Sequence, residues 1–383
     1  MGLPIYFMFE LDSTQLCMVH RRWSDCFASI DKYIRNPYNF NRIFIHLKHR
    51  IIQIRMFDMQ MVLQIVLLLL GFVALIKGAD IFVDGSSSIA ALLKVPSVII
   101  GLTIVAMGTS APELAVSTSA ALKGSNEIAV SNVVGSNLFN LLIVLGVCAV
   151  IRPVPIERVI RKRDYPILIV VTVALFAALT VMMIGKVDLK AAAMNDNVSI
   201  VSRVIGIALL VGFIGYIVYL IINARKSGDA GEPVKTMSPL KSVIFIVLGI
   251  ALIIAGGQFV VNSAKYIAAA LGMSETLIGL TVVALGTSLP ELVTSVVASR
   301  KGENGLAVGN VVGSNLFNLM LILGVSATLN PIPVNFASMI DFAILVVATV
   351  IVYIFAMTKN INRFEGIAMI ALYAATMVFA VLR

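Results

Sequence analysis

From about residue 61 the chain consists of long apolar runs broken by short polar interruptions. The runs fall at about 61–83, 97–121, 128–150, 166–184, 201–223, 242–269, 275–299, 306–329, 338–357 and 364–382. Each is near the ~20 residues that cross ~30 Å of hydrocarbon as a helix. The runs are long and lack the strict alternation of a barrel strand, and a helix satisfies its own backbone groups in lipid. The pattern therefore predicts an all-α polytopic membrane protein with ten transmembrane helices.

Residues 1–58 do not share this pattern. They hold Trp23, His20, His46, His49, Cys17, Cys26 and eight Lys or Arg, with no run of spanning length. Two readings fit: a basic, partly amphipathic arm on an anionic membrane face, or an extension upstream of a translation start at Met56, Met59 or Met61. The segment lacks the compact apolar core of a secretory signal peptide. The expected division is an extension over 1–58, a first half over 59–223, a linker over 224–241 and a second half over 242–383.

Composition agrees with a bilayer as solvent. Hydrophobic residues make up 59% and charged residues 13%, and the mean hydropathy is +1.00, more apolar side chain than a water-soluble fold buries. Cys148 lies inside a run with no second thiol or imidazole near it in sequence, so a space-filling role is expected, and no disulfide framework is. Charge in the loops sets orientation. Fourteen basic residues fall on one side, including Lys94, Arg152, Arg158, Arg225, Lys241, Arg300, Lys301, Lys359 and Arg363, against six on the other. The positive-inside bias puts the first set in the cytoplasm and both ends of the ten-helix core outside.

One segment occurs twice. Residues 101–147 and 279–325 align without a gap at an offset of 178, with 31 of 47 positions identical. The offset also relates Gly71 to Gly249, Gly78 to Gly256, and Pro153–Val154–Pro155 to Pro331–Ile332–Pro333. With five spans in each half, the second half enters the membrane from the other side, so the copies are expected to be antiparallel. Inverted repeats with interrupted helices are an architecture in which transporters bind substrate near the midplane.

The chemistry lies in Gly108–Thr109–Ser110–Ala111–Pro112–Glu113 and its twin Gly286–Thr287–Ser288–Leu289–Pro290–Glu291. Each proline lacks an N–H and crowds the carbonyl four residues back, releasing the oxygens of Gly108 and Gly286. Thr109 and Ser110 are four and three residues from Glu113, which places hydroxyls and carboxylate on one helix face, and Thr287, Ser288 and Glu291 repeat this. On the following helix Ser136 and Asn140 are one turn apart, as are Ser314 and Asn318, with Gly135 and Gly313 admitting a close neighbour. Asn137 and Asn315 point away and are expected to bond backbone or adjacent helices. Every ligand offered is a hard oxygen, which suits Ca²⁺ or Na⁺.

Prolines in membrane helices are ordinarily kinks, and small residues ordinarily pack. The glutamates change that weighting, because a charged residue at a helix centre costs roughly 2.5–3.5 kcal/mol on insertion scales, and packing alone has no use for two. Asp80 and Asp84 are not duplicated, their equivalents being Gln258 and Asn262. Lys77 is placed to pair with either aspartate on its own helix.

The paired G-T-S-x-P-E and G-S-N-x-x-N motifs resemble the α-repeats of the calcium/cation antiporter superfamily, and the ten-span layout over 61–383 is similar to its prokaryotic sodium/calcium exchangers. The resemblance implies an ion-binding set of Ala106 (carbonyl), Thr109, Ser110, Glu113, Ser136 and Asn140, then Ala284 (carbonyl), Thr287, Ser288, Glu291, Ser314 and Asn318. It implies that helices 61–83 and 242–269 slide over the core. Asn at 318, where some relatives carry Asp, leaves a cage of two carboxylates and resembles the potassium-independent type.

The expected function is exchange of Ca²⁺ for Na⁺ by alternating access, extruding Ca²⁺ across a prokaryotic-type inner membrane. The ions are cargo. No cofactor, nucleic acid or obligate protein partner is implied, and no nucleophile–base pair in the spans suggests an enzyme. The alternatives are a Ca²⁺/H⁺ antiporter of the same superfamily and a passive cation channel. The inverted halves disfavour the channel, and the absence of histidine from the spans disfavours proton coupling.

Overall fold

The computed structural model describes residues 37–124, 126–184, 193–194, 196–224, 236–272 and 284–382. It divides into two compact units, residues 1–63 and 64–383. The described part of the first unit, from residue 37, is helical and belongs to α1 (Pro37–Leu93). The first half continues with α2 (Ser97–Thr109), α3 (Ala111–Leu122) and α4 (Ile128–Ile151). Then come β1 (Val154–Pro155), α5 (Ile160–Met183), β2 (Asn197–Val201) and α6 (Arg203–Ala224).

The second half holds α7 (Pro239–Ala270), α8 (Ala284–Thr287), α9 (Leu289–Arg300) and α10 (Asn304–Leu329). It ends with β3 (Ile332–Asn335), α11 (Phe336–Met357), β4 (Asn360–Ile361) and α12 (Arg363–Leu382).

Among the described residues eight helices are long and apolar enough to cross a membrane, and a ninth span is the pair α2–α3, bent by 51°. The expected span at 275–299 is described from 284 onward, as α8 and α9, and its first part lies outside the described residues. The chain is an all-α polytopic membrane protein. Its most apolar helices, α1, α5, α6, α7 and α11, lie at the periphery. Only 11% of the best window of α1 is buried, against 94% for α10 and 72% for α4, so the two helices that carry the G-S-N-x-x-N motifs form the centre.

Two short sheets report how the halves are disposed. β1 pairs antiparallel with β4 through Val154 and Ile361, and β2 pairs antiparallel with β3 through Val201 and Ile332. β1 and β2 flank α5, a helix of 24 residues, about 36 Å long, and so lie at its opposite ends. β1 and the matching part of β3 are equivalents under the 178 offset. Each therefore joins a strand of the other half, at opposite ends of the bundle.

The helices α1 and α7 are longer than their apolar runs predict. The span in α1 covers Met59–Leu93, and α7 has 32 residues. The extra turns of α1 include Ser86, Ser87 and Ser88, polar residues that hydropathy alone assigns to a loop. All three are buried. Ser88 Oγ lies 2.8 Å from Ser242 Oγ and accepts from the Met237 N–H at 2.9 Å, so protein rather than water satisfies it. At about 48 Å, α7 exceeds the ~30 Å hydrocarbon layer, so it tilts within the bilayer or projects beyond it.

The two long helices meet along a seam of small residues. A Cβ on Gly71 would sit 2.9 Å from Gly256 O, one on Gly78 3.0 Å from Gly249 O, and one on Gly85 2.8 Å from Ser242 O. The numbers rise along one helix as they fall along the other, so the helices are antiparallel and their backbones touch.

Lys77 is not the partner of the aspartates on α1. Lys301, just after α9, places Nζ 2.8 Å from Asp80 Oδ1 and 2.5 Å from Asp84 Oδ1. Partial burial lowers the lysine pKa, but hydrogen bonds and charge from Asp80 and Asp84 outweigh it and hold the ammonium above its usual value. In the other half the neutral equivalents bond each other, Gln258 Nε2 donating to Asn262 Oδ1 at 2.8 Å.

Candidate functional site

The helix breaks form where the prolines predict. α2 ends at Thr109 and α3 resumes at Ala111; α8 ends at Thr287 and α9 resumes at Leu289, each proline standing in the first turn of the resumed helix. The intervening serines leave the helical basin, Ser110 at φ −86°, ψ 9° and Ser288 at φ −94°, ψ 6°. A proline tolerated at a helix start because no donor is needed there thus sets a break four residues before Leu114 and Leu292.

Glu113 and Glu291 are each 0% exposed and close enough for their charges to interact. Their hydroxyl partners come from the opposite half. Ser110 Oγ donates to Glu291 Oε1 at 2.7 Å. Ser288 Oγ donates to Glu113 Oε1 at 3.0 Å, with Ser136 Oγ 3.1 Å away. This corrects the same-helix grouping expected from residue spacing: leaving helical geometry at Ser110 and Ser288 turns both hydroxyls across the interface. Thr109 and Ser314 also face Glu291, and Thr287 faces Glu113.

Asn140 and Asn318 are presented by π-helical turns, Phe139–Val144 and Phe317–Ile322, at equivalent places in the two copies. Such widened turns occur often at functional sites. Asn318 Nδ2 donates to Asn137 Oδ1 at 3.0 Å, and Asn137 Nδ2 donates to the carbonyl of Asn315 at 3.3 Å. Asn315 Nδ2 donates to the Val311 carbonyl at 2.7 Å. Asn137 and Asn315 thus bond backbone and a neighbouring helix, as their direction predicts. Gly313 allows close approach, an added Cβ lying 2.8 Å from Leu102 Cα, whereas among the described residues nothing lies within 4 Å of a Cβ on Gly135, so the close neighbour expected there is not found.

Several acceptors are left without a hydrogen bond: Glu113 Oε2, Glu291 Oε2, Asn140 Oδ1 and Asn318 Oδ1, all buried. Buried acceptors without donors are costly unless a cation meets them. Among the described residues no three His, Cys, Asp or Glu converge, so the donor set is two carboxylates among neutral oxygens, which fits hard cations. Of the residues named from sequence, Ala106, Thr109, Ser110, Glu113, Ser136, Asn140, Ser288, Glu291, Ser314 and Asn318 are all buried. Thr287 is partly buried, and Ala284 begins α8.

The motifs did not point to Asn132, Asn310, Ser117 and Ser295. Asn132 Nδ2 lies 2.8 Å from Ser117 Oγ and 3.3 Å from the Glu113 carbonyl. Asn310 Nδ2 lies 2.9 Å from Ser295 Oγ and 3.5 Å from the Glu291 carbonyl. The available signal was their identity in both copies of the repeat.

A polytopic bundle with a broken helix in each half and two buried carboxylates at the crossing has the form of a membrane cation transporter. Residues 63–222 and 241–382 match the sodium/calcium exchanger protein family. The chain belongs to that family, as a multi-pass, prokaryotic-type calcium/cation antiporter.

Among its relatives, CaxA of Alkalimonas amylolytica is 38% identical over 320 residues, covering 80% of this chain and 95% of the relative. The sodium/calcium exchanger MaX1 of Methanosarcina acetivorans is 33% identical over 338 residues, covering 82% and 97%. The inner membrane protein YrbG of Escherichia coli (strain K12) is 32% identical over 321 residues, covering 81% and 94%. A solved structure of the sodium-calcium exchanger NCX_Mj, soaked with 10 mM Na⁺ and zero Ca²⁺, superposes with a TM-score of 0.70 at 30% identity, covering 83% of this chain and 99% of the other.

Proposed function

We propose that the chain extrudes Ca²⁺ in exchange for Na⁺ across a prokaryotic-type inner membrane, with Glu113 and Glu291 as the charged ligands of one shared site. The observation that carries this reading is the crossed pair of carboxylates, each held at Oε1 by the other half's serine and left without a hydrogen bond at Oε2. One Ca²⁺ balances their two charges, as do two Na⁺, so the cargoes compete for the same oxygens. The neutral ligands are Ala106 O, Thr109, Ser110, Ser136 and Asn140 from the first half and Ala284 O, Thr287, Ser288, Ser314 and Asn318 from the second.

Coupling follows from electrostatics. Two uncompensated carboxylates resist transfer into a closed, low-dielectric cavity, whereas an ion-neutralised pair does not. Only a loaded site then occludes and reopens on the other face, and alternating access becomes exchange. With Na⁺ higher outside and the interior negative, Na⁺ entry drives Ca²⁺ out. The likeness to the sodium/calcium exchangers MaX1 and NCX_Mj supports Na⁺ as the counter-ion.

The test is ⁴⁵Ca²⁺ flux in proteoliposomes under imposed Na⁺, K⁺ or pH gradients. Uptake driven by outward Na⁺ alone is expected. Uptake that followed only a pH gradient would replace Na⁺ with H⁺, and downhill flux without any counter-ion would overturn exchange.

A further inference from the structure

Asn310 lies on α10, two turns before Asn318, and is 0% exposed. Its amide joins three elements. Nδ2 reaches Ser295 and the Glu291 carbonyl on α9, while Oδ1 lies 3.0 Å from Thr109 Oγ1 on α2, in the other half. Asn132 makes the same two donations around Glu113. The two donations are thus common to both copies, whereas the link across the halves belongs to Asn310 alone: Thr287 Oγ1, the equivalent of Thr109, has no hydrogen-bond partner among the described residues.

Thr109 has one hydroxyl proton and, besides the Glu291 carboxylate that it faces, three acceptors within reach. They are Asn310 Oδ1 at 3.0 Å, the Val105 carbonyl at 3.1 Å and the Ala106 carbonyl at 3.4 Å. The Ala106 carbonyl already accepts the Ser110 N–H at 3.0 Å. A carbonyl oxygen has two lone pairs, so a second donation from Thr109 would leave this oxygen nothing to offer a cation. Donation to Asn310 instead leaves one lone pair on Ala106 O, and it fixes the direction in which the two hydroxyl lone pairs of Thr109, free whichever acceptor is used, point.

We propose that Asn310 is a positioning residue that takes the Thr109 proton, which orients the Thr109 oxygen and keeps the Ala106 oxygen free for the transported cation, without itself being a ligand. A cation beside Thr109 Oγ1 reinforces this choice, because it repels the proton toward the amide oxygen behind it. The inference rests on the exchanger reading and adds a residue that acts through another.

The test is equilibrium ⁴⁵Ca²⁺ binding to the purified full chain in Na⁺-free detergent. The proteins compared are wild type, Asn310→Ala, Asn310→Asp, Thr109→Val and the Asn310→Ala/Thr109→Val double variant. Asn310→Ala is expected to weaken binding about tenfold, the scale of one buried hydrogen bond. Asn310→Asp keeps an acceptor oxygen and is expected to bind within about threefold of wild type or more tightly. Asn310→Ala is expected to add nothing in the Thr109→Val background, since coupled residues are non-additive.

Equal losses in Asn310→Ala and Asn310→Asp, or additive losses in the double variant, would assign Asn310 to general packing and overturn the inference. Ca²⁺ binding by wild type that Asn310→Ala leaves unchanged would overturn it alone. Absence of binding to wild type would overturn the exchanger reading and this inference together.

Discussion

Removing the Ser110 hydroxyl should damage the site through Glu291, in the other half, and not through Glu113 three residues away. Ser110→Ala deletes the 2.7 Å bond to Glu291 Oε1 and leaves a fully buried carboxylate whose other oxygen already has no donor. The separation falls in the range of charge-assisted O–H···O⁻ bonds. Such a bond contributes about 1.5–3 kcal/mol, against about 0.5–1.5 kcal/mol for a neutral one. Replacing Glu291 with Gln removes the charge, so the cost of Ser110→Ala should drop by about 1 kcal/mol in that background. In Glu113→Gln it should stay near its wild-type value. The assay is a double-mutant cycle on equilibrium unfolding of the ion-free protein in detergent. A coupling of Ser110 to Glu113 as large as its coupling to Glu291 would refute the crossed arrangement. Ser288→Ala, which loses a longer bond of 3.0 Å, should cost less than Ser110→Ala.

Glu113→Gln and Glu291→Gln should each abolish Ca²⁺ exchange in proteoliposomes while leaving membrane insertion intact, and wild-type flux in both would refute the shared site. Lys301→Met should destabilise the ion-free protein by no more than about 1 kcal/mol, since both carboxylates of the cluster are half exposed and screened. It should also raise hydrogen exchange around Asp80–Asp84, where an unchanged exchange profile would count against the ion-pair tie. Gly249→Leu should lower the melting temperature, because its Cβ would sit 2.6 Å from Phe82 Cβ and 2.9 Å from Gly78 O. Overpacking of this kind costs about 1–3 kcal/mol, and a melting point equal to wild type would refute backbone contact along the seam.

Hydropathy located most spans and the duplication located the carboxylates, since membrane burial of a charge and repetition of a motif are both local in sequence. Spacing arguments reached only neighbours on one helix. They grouped Ser110 with Glu113 because residues three apart share a face, and a backbone break at the serine reverses that outcome. The partner of Asp80 and Asp84 lies more than two hundred residues away at Lys301, beyond any periodicity. Ser86, Ser87 and Ser88 read as a loop because hydropathy cannot distinguish polar residues buried in protein, as all three are, from those facing water, and only Ser88 has its partner on α7. Asn132 and Asn310 were readable as identities between the copies, but their chemistry is a set of bonds to other helices, which spacing does not reveal.

The exchanged strands limit which parts can move against each other. β1 binds β4 at one end of α5 and β2 binds β3 at the other, so each half is fastened to its counterpart at both ends. Swinging one half away from the other about a central pivot would peel apart at least one sheet. α1 and α7 take no part in either sheet and face each other across small residues. The two long helices are therefore held to the strand-braced frame by side chains, such as Lys301 with Asp80 and Asp84, in place of backbone pairing.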